Sequence, residues 1–192
     1  MTHFEYVTTL LSFVVAFGVS RLLAGWVQQY LRRSQSPVDT LQVAVSFMLL
    51  IALLQNTWAM WAARDAIWTF GTFLLLVFNL LALVGASALI HPPPDHPSSN
   101  RDYYFEVRHA VFGLCAAWVI LGGILDAVGL ALGPPDRPDL PYGTMFSLRG
   151  VAALTFGFMA WSDRPALHWA CLAVSAALQL AWILGVSNSP AA

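Results

Sequence analysis

Apolar residues fill six long runs, at about 4–30, 41–62, 68–90, 104–132, 142–161 and 165–186. Polar residues gather in the short stretches between them. Each run is about the 20 residues that a helix needs to cross the roughly 30 Å hydrocarbon layer. A helix also satisfies its own backbone groups without water, which a membrane demands. The pattern predicts an all-α protein: a polytopic transmembrane bundle of about six helices in one membrane domain spanning 1–192.

Inside these runs a few polar positions stand out. Asp126 lies in the fourth and Arg149 in the fifth. The connector at 133–141 is rich in proline and must turn the chain back, making the two runs antiparallel neighbours. Asp126 is about six residues before the turn and Arg149 about seven after it, so both sit roughly 10 Å from the same membrane surface. A lone charge near mid-membrane costs roughly 2.5–3.5 kcal/mol on insertion scales. Two opposite charges at one depth offset much of that, and a buried Asp126–Arg149 pair is expected. Asn56 falls at a comparable depth in the second run. Asn79 lies near the middle of the third, where a buried Asn usually bonds a neighbouring helix.

The loops add punctuation. Trp58, Trp61 and Trp68 flank a turn at Arg64-Asp65 and read as an aromatic belt. The stretch 91–100 contains Pro92, Pro93, Pro94 and Pro97, and successive prolines favour an extended segment. It splits the chain into two groups of three helices, which would be inverted relative to each other as in some transporters. The sixth run has Ala166, Ala170, Ala173, Ala177 and Ala181 as a small-residue stripe, read as a packing face.

Composition sharpens the class. The 192 residues are 58% hydrophobic and only 10% charged, with a mean hydropathy of +0.67. A soluble domain has about 25% charged residues. A net charge of −1 leaves no nucleic-acid footprint. All nine basic residues are arginine, and without lysine there is no Schiff base for retinal. Cys115 and Cys171 lie in apolar runs and read as small core residues. The first residues lack the basic segment and cleavage site of a signal peptide.

Arginine counts set an expected orientation. With the N-terminus outside, inner segments hold Arg32, Arg33, Arg101, Arg108 and Arg164, and outer ones hold Arg64 and Arg137. Both termini are then external. The inner side also collects Arg21, His91, Glu106, His109, Asp163 and His168. Arg21 is expected to snorkel to the surface. Three histidines at one face have the chemistry of haem or metal ligands, and His91, Asp95 and His96 share that chemistry. Interfacial histidines in water are the simpler reading, so no metal or cofactor is expected. No nucleophile motif, phosphate loop or zinc-protease motif is present.

The opening Phe4-Glu5-Tyr6-Val7, Ser12 and the small residues of 18–25 resemble a group of uncharacterised bacterial multi-pass membrane proteins. Tyr103-Tyr104-Phe105 adds to that resemblance. It implies a bacterial inner-membrane location and supplies no activity or catalytic residue. The expected partners are the lipid bilayer and a second copy or another membrane protein.

Three function classes follow. A transporter or channel for a small solute or ion would use Asp126, Arg149, Asn56 and Asn79 as a polar track. A structural or regulatory subunit would use the same charges only to fix helix register. A membrane enzyme would use the inner cluster of Arg21, His91, Glu106, His109 and His168.

Overall fold

The structure is a computed structural model that describes residues 3–34, 36–62, 69–93, 96, 98–132 and 142–187. Six helices account for most of them: α1 His3–Leu31, α2 Thr40–Ala62, α3 Phe70–Leu89, α4 Asn100–Leu132, α5 Tyr142–Trp161 and α6 Pro165–Ser187. Five contain a stretch long and apolar enough to cross a membrane, and α5 contributes the shorter apolar stretch Phe146–Trp161. The chain is a helical bundle with the composition of a membrane protein.

The helices form a closed ring in the order α2, α1, α3, α4, α5, α6 and back to α2, with α2 also touching α3 and α4. Inside it lies one apolar core built from Leu11, Leu22, Leu49, Leu53, Leu80, Leu83, Phe112 and Met159. Outside, Phe13, Phe17, Trp58, Phe78, Leu154 and Phe158 are exposed. An apolar exterior around an apolar core is the pattern of a helix bundle whose solvent is lipid. Close approach needs small residues at particular points. Gly18 is packed against Leu53 and Val84, and Gly85 against Leu114.

Three expectations change. α4 begins at Asn100, about a turn before the expected 104, because Ser99 caps it. The Asp102 amide donates to Ser99 Oγ at 3.2 Å. In return, Ser99 Oγ donates to the Asp102 carboxylate at 2.7 Å. The charged residues 101–109, which the sequence already reads as opening this helix, are its first turns. The linker after α3 is not simply extended, since the His96 amide bonds the Pro93 carbonyl at 3.1 Å. The two helices on either side of it, α3 and α4, pack closely on each other. In α6, Ala166, Ala170, Ala173, Ala177 and Ala181 all face outward. Its buried face is instead His168, Cys171, Leu172 and Ser175, larger side chains that fill the space between helices.

α3 starts one residue after Thr69, which caps it in a reciprocal box with Thr72, each satisfying a backbone donor of the other. The expected start at Trp68, the Arg64-Asp65 turn, the connector at 133–141 and Asp95 lie outside the described residues. So does the Trp61 side chain. Cys115 and Cys171 are free and buried.

Candidate functional site

Asp126 and Arg149 meet. The Arg149 Nε donates to Asp126 Oδ2 at 2.7 Å, joining α4 to α5. Their side chains are 28% and 24% exposed respectively. Two neighbours that the charge pattern does not indicate complete the arrangement. Gly122, one helical turn before Asp126, lies directly under the guanidinium, where any Cβ would collide with Arg149 Nη1. The Trp182 ring of α6 lies 5.6 Å from the guanidinium carbon, within cation–π range. Arg149 thus ties three helices together. The i, i+4 spacing of Gly122 and Asp126 was the available signal for the first contact. Nothing in the sequence places Trp182 against Arg149.

Beside the pair, α4 and α5 enclose an open groove of about 330 Å³. Its walls are Val119, Ile120, Ile124, Phe146 and Ala153, and Arg149 is the one charged residue lining it among the described residues. The guanidinium is already bonded to Asp126, so the groove offers hydrocarbon contact and little polar recognition.

The two asparagines do not join this pair. Asn79 is buried and its Nδ2 donates to the Trp118 carbonyl of α4 at 2.6 Å. Asn56 Nδ2 is buried without a hydrogen-bond partner. Its neighbour Gln55 donates to the Gln179 carbonyl at 3.3 Å, and Gln179 donates to the Met48 carbonyl at 3.4 Å. These bonds clasp α2 to α6. The sequence suggests one polar track, and the structure has separate clasps between different helix pairs.

The cluster expected at the inner side also separates. His168 is fully buried. Its Nε2 faces the Ser162 carbonyl at 2.9 Å. A carbonyl can only accept, so Nε2 carries the proton. In the neutral ring Nδ1 then accepts from the Tyr104 hydroxyl at 2.7 Å. Phe105 and Phe112 pack edge-on against the same ring. His109 is exposed on α4. Glu106 is exposed and approaches His96 Nε2 at 3.8 Å. Arg108 pairs with Asp163 at 2.5 Å, fastening α4 to the turn before α6.

His91 sits elsewhere again, where α1, α2 and the end of α3 meet. Gln42 Nε2 donates to the Ile90 carbonyl at 2.5 Å. Gln29 Nε2 donates to Gln42 Oε1 and approaches His91 Nδ1 at 3.3 Å. Gly25 is pressed against the His91 ring, with no room for a Cβ. Burial, aided by the nearby positive charge of Arg21, holds the imidazole down to about 4. It is neutral at pH 7. Arg21 itself is exposed on α1.

Among the described residues no three His, Cys, Asp or Glu side chains converge on a point where a metal would be held. His91 and His168 are on separate partners, His109 is exposed, and His168 has both ring nitrogens engaged. What the arrangement does chemically is bind helix to helix. No protein-family model, curated protein or solved structure matches the chain.

Proposed function

We propose that this chain is a structural or regulatory membrane subunit without turnover of its own, and that Asp126 and Arg149 are a register device. The observation that carries this is the 2.7 Å bond between them, which neutralises both charges at one depth beside an apolar groove. A solute path needs polar groups in succession. Here Asn79 is engaged by the Trp118 carbonyl, Gln55 of α2 clasps α6, and Asn56 Nδ2 bonds neither. The arginine distribution and the resemblance to bacterial multi-pass proteins support an inner-membrane location with both termini outside. Partners on this reading are lipid and either a second copy or another membrane protein.

The test compares single and paired replacements. Removing one member of a buried pair typically costs about 3–5 kcal/mol, because the other charge is stranded. Asp126→Leu and Arg149→Leu should each lower folded yield in the membrane. The double variant strands nothing and should recover most of it. Wild-type protein in liposomes should conduct neither protons nor potassium above the lipid background. A flux that the well-folded double variant abolishes would replace this reading with transport.

A further inference from the structure

The groove between α4 and α5 has a width and a hydrogen-bonding character that select its occupant. Its α4 wall runs from Val119 to Ala127, about 12 Å along the axis at the usual helical rise. A volume of about 330 Å³ over that length is a channel of about 27 Å² in section. A helix with its side chains is about 10–12 Å across, or about 80–110 Å² in section. The channel takes one hydrocarbon chain and is too narrow for a helix. Ile120 and Ile124 line it and are themselves exposed, so it opens to whatever surrounds the bundle. Its space is real on both sides. A Cβ on Gly150 would meet nothing within 4 Å, and one on Gly123 would meet only Arg149 Cδ at 3.5 Å.

Arg149 decides the remaining chemistry. A guanidinium has five N–H donors, and it is Nε that bonds Asp126. Nη1 and Nη2 bond no described residue, and neither is sealed inside the bundle. Arg149 is part of the groove wall. In hydrocarbon a donor without an acceptor is costly. A partner helix brings no acceptor, since its carbonyls are bonded within it. A carboxylate would bring a second negative charge to a pair that is already neutral. A neutral carbonyl accepts the hydrogen bond and adds no charge.

The bilayer supplies such a carbonyl at this depth. Arg149 is roughly 10 Å from one membrane surface, and the polar layer takes up about 5–7 Å of that. Lipid ester carbonyls lie at the inner edge of that layer. From Arg149 the groove continues toward Val119 and Ala153, away from that surface, between apolar walls.

We propose that the groove holds one acyl chain of a glycerophospholipid from the surrounding bilayer, its ester carbonyl accepting from Arg149 and its methylenes lying between α4 and α5. The lipid then joins the two helices beside their ion pair. This rests on the membrane reading above and not on the absence of turnover, which the liposome flux tests separately, so either can fail alone.

The experiment is native mass spectrometry of the full chain released from nanodiscs. These contain equal amounts of a diester phosphatidylethanolamine and its diether analogue of the same chain length, which lacks the carbonyls. The expected result is one lipid retained per chain, with the diester in about tenfold excess, the weight of one hydrogen bond. Gly150→Leu fills the groove from a position with open space, and a folded variant should lose the retained lipid. Equal retention of diester and diether by the wild type overturns the proposal, whether or not the variant folds. So does a wild-type chain that releases without lipid or with a free fatty acid. A dimer that excludes lipid from the groove, or unchanged retention in folded Gly150→Leu, does the same.

Discussion

At the scale of single residues, the polar side chains of this protein are settled by their immediate neighbours. Asp126 and Arg149 bond each other, His168 is held between a hydroxyl and a carbonyl, and His91 is held neutral by burial. The last has a consequence for pH. The ordinary histidine value is 6.5, and in the folded protein His91 is lowered to about 4. Between these values the opened chain binds a proton that the closed one refuses, so opening is favoured as pH falls. The thermal midpoint should therefore be level above about pH 6.5 and decline from there toward pH 4. His91→Asn should lower the midpoint at neutral pH and flatten the slope within that window. An equal slope in the variant would assign the pH response to other groups.

At the scale of elements, the ends of helices are set by short side chains. Ser99 starts α4 and bonds both ways with Asp102. Ser99→Ala should cost about 0.5–2 kcal/mol, read as faster amide exchange confined to the first turn of α4. Unchanged exchange there would mean that the packing of Tyr103 and Tyr104 alone holds that turn. Ser99 also shows why the start of α4 departs from the apolar run while other helix ends follow theirs. Long apolar runs announce a membrane helix whatever their neighbours do. A polar first turn such as 100–108 carries no hydrophobic signal, and only the cap marks it. The Asp126–Arg149 bond could be read because a short connector equalises depth on two antiparallel helices. The outward turn of the α6 alanines could not. Which face of a wholly apolar helix is buried depends on its neighbours, and lipid and core accept the same residues. The separation of Asn79 and Asn56 from the charged pair was hidden for the same reason, since depth gives no direction around a helix axis.

At the scale of the whole molecule, one end of the bundle is tied across its loops. The Asn100 side chain donates to the Pro37 carbonyl at 3.0 Å, and Arg108 holds Asp163. The ends of α1, α3 and α5 and the starts of α2, α4 and α6 therefore share one surface. The proposed orientation makes that surface cytoplasmic. The cysteine of a Ser34→Cys variant should then react with an impermeant thiol reagent only after the inner face is opened. Labelling in intact cells would reverse the orientation. Helix α4 is also longer than a bilayer requires. It has 33 residues. At the usual helical rise it spans about 50 Å. Its first turns, which carry Arg101, Asp102, Glu106 and Arg108, lie at that same end.

The thread of Gln29 and Gln42 also bears on the order in which the chain is made. Synthesis delivers α1 and α2 before α3 exists. Trp26 can reach Ser46, and Gln29 can reach Gln42, as soon as those two helices lie side by side. The remaining donor of Gln42 has to wait for the Ile90 carbonyl, 48 residues downstream. The first hairpin is thus born with its own latch and one open hook. The end of the third helix is what the hook catches, so this bond is complete only once three helices are in place.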